Sequence, residues 1–393
     1  MESNRNRQAI HASSETVLDI KHVSVDYETD NDTVHAVNDV SFTLRRGQIL
    51  GLAGESGSGK STLAYAIARL LRPPALIING SIIYYPHAHD AQREAGKQRK
   101  QRNEKFTEPV DILRLSEKQL NKLRWDELSM VFQSAMNALN PVLTIGEQII
   151  DVLDTHRPEM GADRRKQRAL ELLQVVGIAP DRMRSYPHEL SGGMRQRAII
   201  AIALALNPDI IILDEPTTAL DVVIQREILL EIVRLRENFG FAVIFITHDL
   251  SLLLELADEV AIMYAGRIIE TATQDEMYRR PRHPYSYGLL NSFPSLTGPR
   301  RKMYGIPGSP PDLRNIPTGC AFHPRCPMTF EVCPKELPQL LPMRNRTPDT
   351  VTNSSRAVAC HLYDSRYRMS EPEQSEITSA YNARAEKREG IIS

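Results

Sequence analysis

The chain has 393 residues, 41% of them hydrophobic and 25% charged, and a formal net charge of −1. This length and composition are typical of a globular protein with a large core and a smaller appended unit. A charge so close to zero excludes a general electrostatic attraction to nucleic acid. No apolar run approaches the roughly 18 residues that cross a bilayer, and the polar segment 1–16 lacks the apolar core of a signal peptide. We therefore expect a cytoplasmic chain that reaches a membrane only through partners.

A glycine-rich turn lies between an apolar run and a helical pattern early in the chain. The run Ile49 to Ala53 predicts a buried strand, and Leu63 to Ala68 predicts a helix. A glycine-rich turn in this strand–turn–helix context is a P-loop, whose backbone N–H groups and helix N-terminus surround a phosphate. Lys60 is predicted to reach the β- and γ-phosphates of a nucleotide, and the Ser61 hydroxyl to ligate Mg²⁺. The predicted ATP-binding residues of this loop are Gly54, Ser56, Gly57, Ser58, Gly59, Lys60, Ser61 and Thr62.

A polar segment follows at residues 86–110 and has no sustained apolar face. Its central part is basic, with Arg93, Lys97, Arg99, Lys100, Arg102 and Lys105. Such a segment buries little surface, so the simplest prediction is a solvated loop. Contact with anionic lipid headgroups is the alternative.

Two further motifs lie close together downstream. The sequence Leu190-Ser191-Gly192-Gly193-Met194-Arg195-Gln196-Arg197 precedes an apolar run, Ile210 to Leu213, that ends in Asp214-Glu215. The run predicts a strand buried on both faces, and carboxylates at its C-terminal end lie where α/β sheets bind ligands. Together with the P-loop, these motifs resemble the signature and Walker B segments of ATP-binding cassette (ABC) ATPases.

This resemblance implies catalytic roles for several residues. Asp214 would hold Mg²⁺ through water, and Glu215 would polarise the water that attacks the γ-phosphate. His248, which closes the apolar run Ala242 to Thr247, matches the switch histidine that hydrogen-bonds the γ-phosphate. With Lys60 and the Q-loop glutamine Gln133, Glu215 and His248 form the predicted catalytic set.

The remaining parts of the cassette follow from the same resemblance. Tyr27 lies where the family's aromatic residue stacks on adenine, and Gln133 matches the glutamine that senses Mg²⁺ and the γ-phosphate. Asp221 matches the D-loop, which crosses the interface between two cassettes. In this family two cassettes pack head to tail, so the signature residues would serve the partner's ATP; these are Ser191, Gly192, Gly193 and Gln196.

Beyond residue 265 the chain becomes rich in proline and turn residues, which prevents any long helix over 266–363. The segments His283-Pro284-Tyr285 and Gly319-Cys320-Ala321-Phe322-His323-Pro324-Arg325-Cys326-Pro327 resemble the C-terminal extension of peptide-importer ATPases. The resemblance as a whole covers residues 17–363.

All four cysteines, Cys320, Cys326, Cys333 and Cys360, lie in this extension. Disulfides are disfavoured in a reducing cytoplasm, so a shared metal or cluster is favoured over bridges. The intervening residues number five, six and 26, which is not the paired spacing of zinc ribbons. The resemblance to importer ATPases whose cysteines hold a 4Fe-4S cluster implies that cofactor, in a structural role. Zn²⁺ and four unligated thiols stay open as alternatives, and so does redox sensing.

These features predict an α/β fold, namely a P-loop NTPase of the ABC ATPase type. We expect a RecA-like α/β core, an antiparallel β subdomain, a helical signature subdomain and a small proline- and cysteine-rich C-terminal extension. The predicted units are a flexible segment 1–16, a nucleotide-binding domain 17–265 with the insertion 86–110, the extension 266–363 and a disordered tail 364–393.

The predicted function is ATP binding and hydrolysis that energises an importer of dipeptides or oligopeptides. The chain would sit peripherally on the cytoplasmic face of the inner membrane and bind no nucleic acid. The resemblance implies four partner proteins in three roles: a second cassette ATPase of different sequence, two transmembrane permeases and an extracytoplasmic solute-binding protein. A sugar or a metal chelate is an alternative substrate. A soluble ABC ATPase that acts on DNA or ribosomes, or an exporter subunit, is a further alternative.

Overall fold

The computed structural model describes residues 15–29, 32–87, 106–133, 138–218, 220–292, 305–343 and 356–392, with side chains as far as residue 384. Its strands are β1 (Thr16–Glu28), β2 (Thr33–Arg45), β3 (Ile49–Ala53), β4 (Ala75–Tyr84), β5 (Val110–Asp111), β6 (Leu128–Val131), β7 (Ile210–Asp214), β8 (Ala242–Ile246), β9 (Glu259–Tyr264), β10 (Arg267–Thr273), β11 (Leu341–Pro342) and β12 (Ala357–Val358).

Its helices are α1 (Lys60–Ile67), α2 (Glu117–Asp126), α3 (Ile145–His156), α4 (Ala162–Val175), α5 (Gly192–Ala203), α6 (Val222–Phe239), α7 (Leu250–Leu256), α8 (Gln274–Arg279), α9 (Pro284–Asn291) and α10 (Gln374–Ile392). Short 3₁₀ helices lie at Ile112–Arg114, Pro180–Arg184, Pro187–Glu189 and His361–Tyr363. Within the described ranges, no helix combines the length and the hydropathy needed to cross a bilayer.

A central eight-stranded sheet carries the fold, in the order β11-β12-β10-β9-β3-β8-β7-β6. The five strands from β9 to β6 run parallel, and the other three are antiparallel. Every residue of β3, β7 and β8 is buried, because helices or a second sheet cover both faces. These mixed strands and flanking helices confirm the predicted α/β class.

Two hydrophobic cores lie on opposite faces of this sheet, and β3 contributes to both because successive strand residues face opposite ways. Ile49 and Ala53 belong to the core that contains the helices of the signature region. Leu50 and Leu52 belong to the core that contains α1 and a four-stranded antiparallel sheet, in the order β2-β1-β4-β5. This layering fixes the turn between β3 and α1 at the edge of the sheet.

The helical layer begins at α3, where Thr144 and Glu147 form a capping box. The Thr144 hydroxyl accepts the Glu147 N–H, and the Glu147 carboxylate accepts the Thr144 N–H at 2.7 Å. Two backbone donors that the first turn would leave unpaired are thereby satisfied. Buried side chains then join α3, α4 and α5 to the central sheet; they include Ile149, Leu153, Leu172, Leu173 and Ala198.

The C-terminal extension is built into the cassette. Strands β9 and β10 pair as a hairpin across the predicted boundary at 265/266, and β12 pairs with β10. The buried carboxylate of Glu270 accepts the backbone N–H groups of Arg282 and His283 at 2.7 and 2.8 Å, which fixes the start of α9. The extension therefore shares the sheet of the nucleotide-binding domain.

The expectation of a disordered tail over 364–393 needs correction. The structure has helix α10 at Gln374–Ile392, where Ile377 and Tyr381 are buried. The Tyr381 hydroxyl donates to the Pro284 carbonyl at 2.7 Å. Two apolar side chains four positions apart give this polar segment an anchoring face, which its overall composition conceals. The segment 1–14 and most of the predicted insertion, 88–105, lie outside the described residues.

Candidate nucleotide-binding site

The predicted site residues meet at the C-terminal ends of four adjacent parallel strands, in the order β3-β8-β7-β6. The glycine-rich loop follows β3, His248 follows β8 by two residues, Glu215 follows β7, and Gln133 follows β6 by two residues. Because neighbouring parallel strands end at the same edge, segments far apart in sequence converge there. This topology brings together the catalytic set that the sequence predicted.

Two positions of the P-loop require glycine. Gly54 has φ of 152°, and Gly59 has φ of 98°, both in the region that L-residues avoid. A Cβ at Gly54 would overlap the Met263 carbonyl, and one at Gly59 would overlap the Ala36 carbonyl. The loop can therefore turn tightly against β9 and β2 only with glycine at these positions.

The Lys60 side chain is buried inside the loop. Its ammonium donates to the carbonyls of Gly54 and Glu55, each at 2.9 Å, and to the Ser58 hydroxyl at 3.2 Å. Burial lowers the pKa of Lys60, and nearby carboxylates, that of Glu215 foremost, oppose the shift. The cation is thus held at the centre of a loop whose N–H groups suit a phosphate.

Ser61 and Asp214 form a pair beneath the loop. The Ser61 hydroxyl donates to Asp214 Oδ1 at 3.0 Å, whereas the buried Asp214 Oδ2 has no hydrogen-bond partner. Burial raises the pKa of Asp214, and the hydrogen bond from Ser61 lowers it. An unpaired buried carboxylate oxygen beside a hydroxyl is the oxygen-donor set that Mg²⁺ prefers. These residues therefore fit the metal expected with ATP.

Glu215 lies at the focus of the site. Its carboxylate lies 3.2 Å from His248 Nδ1, and accepts the Gln133 amide at 3.2 Å and the Thr218 hydroxyl at 3.1 Å. Its backbone has φ of 47°, a left-handed conformation, and its N–H donates to the Ile246 carbonyl at 2.9 Å. A glutamate held in this uncommon conformation by neighbours from two other strands is characteristic of a functional position.

Thr218 is a contact that the sequence analysis missed. It lies three residues after Glu215, and its N–H donates to the Glu215 carbonyl at 3.3 Å. The available signal was its place in the Asp-Glu-Pro-Thr-Thr stretch, directly after the predicted strand.

Tyr27 lies on β1 next to the P-loop helix. Its hydroxyl is 3.2 Å from that of Thr62, and its ring is half-buried. This position puts an aromatic face beside the loop, and stacking on adenine stays a prediction.

Ser191 and Asp221 each cap a helix and are exposed. The Ser191 hydroxyl accepts the Met194 N–H at 3.3 Å at the start of α5, and Asp221 accepts the Ile224 N–H at 3.1 Å at the start of α6. Gly192 and Gly193, which open α5, are half-buried. These residues leave an exposed helix N-terminus that suits an anion supplied by another chain.

Gln196 does not share that surface. Its side chain is 1% exposed, so it faces the interior of the domain. This burial does not support the prediction that Gln196 contacts the partner's nucleotide, and that contact stays a prediction. Ser191 is exposed, and Gly192 and Gly193 are half-buried, so these three signature residues keep accessible surface.

Two families match this sequence. Residues 37–218 match the family described as ABC transporter, and residues 269–333 match the C-terminal region of the oligopeptide/dipeptide transporter family. The oligopeptide transport ATP-binding protein AppD of Bacillus subtilis (strain 168) is 40% identical, over 89% of this chain and 97% of that protein. The oligopeptide transport ATP-binding protein OppD of Escherichia coli (strain K12) is 41% identical, over 81% and 88%.

The chain belongs to the ABC transporter ATPases of the oligopeptide and dipeptide importer type. As a member of this family, it binds and hydrolyses ATP to energise a transporter.

Solved structures share the fold of this peptide-importer ATPase. The ATP-binding cassette MJ0796, in a dimeric post-hydrolysis state bound to ADP and Pi, has a TM-score of 0.53 and 28% identity, over 65% of this chain and 98% of that one. The structure of cbiO1 from Clostridium perfringens has a TM-score of 0.54 and 24% identity, over 68% and 92%. The first of these solved structures contains bound nucleotide. The second, at 24% identity, shows a likeness of fold alone.

The four cysteines of the peptide-importer ATPase lie near one another as free thiols. Cys326, Cys333 and Cys360 are buried, and the Cys320 N–H donates to the Cys333 carbonyl at 2.7 Å. Burial raises the pKa of Cys320 to about 11 and that of Cys326 to about 12. Burial also raises the pKa of Cys360, and the other three thiols add to that rise. Three buried thiols and the partly exposed Cys320 therefore lie in one region of the extension, and burial opposes the thiolate form of Cys320, Cys326 and Cys360 that a metal or cluster would stabilise.

A compact single-ion site is a different matter. In the part of the chain that the structure describes, no group of three or more His, Cys, Asp or Glu side chains is arranged to hold one metal ion. Residues 269–333 of the extension match a known family, and the description of that family names no cofactor. The expected 4Fe-4S cluster is therefore a proposal.

Proposed function

We propose that the chain drives the import of oligopeptides or dipeptides by ATP-dependent closure of two cassettes. The observation that carries this proposal is the convergence of Gln133, Thr218 and His248 on the Glu215 carboxylate, beside the pair Ser61 and Asp214. In this arrangement Glu215, which would polarise the attacking water, contacts His248, which would sense the γ-phosphate. The two relatives described above are oligopeptide transport ATP-binding proteins, which supports the substrate class.

Catalysis in this site is positioning together with charge neutralisation. Lys60 leaves its loop carbonyls to contact the β- and γ-phosphates, while the loop N–H groups surround them. Ser61 and Asp214 would hold Mg²⁺, which offsets phosphate charge when bound. Glu215 orients the attacking water, and His248, exposed beside it, reaches the γ-phosphate.

A second cassette completes each site. Ser191 and Asp221 are exposed at helix N-termini. We infer that they meet the ATP of a partner cassette, as the two-cassette arrangement requires. The dimeric form of MJ0796 supports such pairing, and a second ATPase of different sequence is the partner we expect.

The surface beside Gln133 is the proposed contact with a membrane permease, one at each of the two cassettes. Phe132 and Val142 are large apolar side chains that stay exposed on either side of this region. We propose that these two side chains take part in that contact. We propose peripheral binding at the cytoplasmic face of the membrane, with an extracytoplasmic solute-binding protein delivering the peptide, as the family resemblance implies.

The direct test is Glu215→Gln, with Glu255→Gln on the exposed face of α7 as the matched control. The amide keeps the shape of the side chain but cannot take a proton from water, so we expect ATP hydrolysis to fall at least a hundredfold while ATP binding persists. The variant should also accumulate as a closed pair of cassettes with ATP, measured by size-exclusion chromatography. Hydrolysis at a near-normal rate would contradict the assigned role of Glu215.

We further propose that Cys320, Cys326, Cys333 and Cys360 hold a 4Fe-4S cluster with a structural role. Three buried thiols, the partly exposed Cys320 and the proline-rich sequence between them support a cofactor that staples this segment. Protein purified without oxygen should be brown and contain about four iron atoms per chain, and Cys360→Ser should lower that content. Colourless, iron-free protein would contradict the cluster, and stoichiometric zinc would identify the alternative.

A further inference from the structure

Glu55 is a residue of the P-loop whose N–H, carbonyl and carboxylate groups each bind a different side chain. Its N–H donates to the Tyr285 hydroxyl at 2.8 Å, its carbonyl accepts the Lys60 ammonium at 2.9 Å, and its carboxylate accepts both terminal nitrogens of Arg325 at 2.7 and 2.9 Å. Two of these three partners, Tyr285 and Arg325, belong to the C-terminal extension. The extension therefore determines the position of a residue inside the phosphate-binding loop.

The Arg325 guanidinium is fully hydrogen-bonded. Besides Glu55, it donates to the carbonyls of Pro307 and Gly308 at 2.7 and 3.3 Å, and to the Tyr264 hydroxyl at 3.3 Å. These bonds use all five of its N–H donors. The side chain is 6% exposed. A planar fork with every donor occupied has one orientation, so it fixes the carboxylate that it binds.

Aromatic rings support the same guanidinium. Its carbon lies 5.8 Å from the ring centre of Tyr264 and 5.9 Å from that of Phe322. Tyr264, Tyr285 and Phe322 also pack on one another, with ring centres 4.6 to 5.4 Å apart. This cluster joins strand β9 to the extension, so the ion pair is built on rigid elements.

The charge of Glu55 makes this contact relevant to nucleotide binding. The loop must accept the polyphosphate of ATP, and an unpaired carboxylate there would repel it. Arg325 pairs with that carboxylate through both terminal nitrogens and so offsets its charge. Because all of its donors are engaged, Arg325 acts through Glu55 and does not itself contact phosphate.

We propose that Arg325 is a positioning residue for ATP binding, which sets the shape and charge of the P-loop by holding Glu55. Since Arg325 immediately precedes Cys326, the same contact links the cysteine segment to the nucleotide site. Helix α10 supports this link, because Arg384 donates to the Arg325 and Pro324 carbonyls at 3.0 and 3.2 Å.

The test is Arg325→Met in the full chain, read out as the Kd for a fluorescent ATP analogue and as the KM and kcat for ATP. We expect Kd and KM to rise about tenfold, while kcat changes less than threefold, because the hydrolytic group around Glu215 is untouched. Arg325→Lys should lie between the two proteins, since an ammonium keeps the charge but not the fork.

The matched control is Arg356→Met. Arg356 is also in the extension, is 8% exposed, and pairs with Glu276 at 3.1 Å and with the Arg280 carbonyl at 2.8 Å, all away from the P-loop. This variant loses a buried ion pair of the same kind, so it should lower thermal stability without changing Kd. An equal rise of Kd in both variants would show that any damage to the extension weakens ATP binding and would overturn the proposal, as would an unchanged Kd for Arg325→Met.

Glu55→Gln provides a second, independent test that does not depend on Arg325→Met folding. If Arg325 acts through the Glu55 carboxylate, Arg325→Lys should change Kd in the wild-type background but not in Glu55→Gln. Additive effects of the two changes would overturn the proposal. Because Arg325 is outside the hydrolytic set, failure of this test would leave the ATPase function itself intact.

Discussion

At the scale of single residues, Glu215 shows how the site depends on contacts between strands. Its carboxylate is shared by Gln133 from the end of β6, Thr218 from its own turn and His248 from the end of β8. Hydrogen bonds to a carboxylate fix its orientation as well as its charge. The position of the water that Glu215 would polarise is therefore determined by three neighbours.

Thr218→Val tests this dependence. Valine keeps the shape of threonine but removes the hydroxyl, so Glu215 loses one of its three side-chain partners. We expect kcat to fall about tenfold with little change in KM, because the interaction orients the carboxylate without contacting ATP. Steady-state kinetics would measure both values.

Thr43→Val is the control for this change. Thr43 donates to the Asp19 carboxylate at 3.2 Å on the antiparallel sheet, so the same type of bond is lost away from the site. A kcat equal to that of Thr43→Val would show that the Thr218 contact is unnecessary.

The sequence predicted these residues to different degrees, for a physical reason. Glu215, His248 and Gln133 each follow an apolar strand, and parallel strands end at one edge, so their meeting was foreseeable. The pair Glu55 and Arg325 is 270 positions apart, and neither residue lies in a periodic pattern. The burial of Gln196 was not foreseeable, because the signature pattern does not reveal which side of α5 faces the core.

At the scale of elements, α9 depends on a neutral histidine. His283 caps this helix, and its Nδ1 accepts the Tyr285 N–H at 3.0 Å in a fully buried position. Burial lowers the pKa of His283 to about 3. A protonated ring would place a charge in the core and replace the acceptor with a donor, so both effects disfavour protonation.

This environment predicts loss of stability in acid. Unfolded His283 titrates near pH 6.5, and the folded form near pH 3, so the unfolded state binds more protons between these values. The free energy of unfolding should therefore fall as pH drops below about 6.5, by at most about 1.4 kcal/mol per unit. His283→Asn keeps an acceptor at the cap but does not titrate.

The measurement is the melting temperature of both proteins between pH 7.5 and pH 5. Wild type should lose more than His283→Asn, and the gap should widen as the pH falls. Burial raises the pKa of Glu270 in both proteins, so this opposing contribution cancels in the comparison. Parallel curves would show that His283 is not the titrating group.

Helix α10 is an element that amino-acid composition could not predict. Its polar sequence gives no amphipathic pattern overall, yet Ile377 and Tyr381 bury against the extension. Local propensity is enough to form such a helix once tertiary contacts hold one face, but those contacts involve residues some 90 positions earlier, as with Tyr287 and Thr378. Sequence alone offered no means of finding that surface.

At the scale of the whole molecule, the extension and the cassette share one core. Tyr285, Leu289 and Phe322 of the extension pack in the same cluster as Val260 and Ile262 of β9. The change in amino-acid composition at residue 265 therefore does not mark a boundary between two cores, because residues on both sides of it pack in one cluster. The α/β order of strands and helices was predictable, because it follows from apolar runs, whereas this shared packing was not.

The pairing of β9 with β10, and of β10 with β12, has a practical consequence for protein engineering. Strand β9, Glu259–Tyr264, is buried along its whole length, and β10 covers its free edge. A cassette cut out at residue 265 would carry β9 as a bare apolar border, where another copy could add a strand. A fusion protein that carries this ATPase should therefore include the chain at least as far as residue 358. We expect a shorter fragment to aggregate as fibres or precipitate.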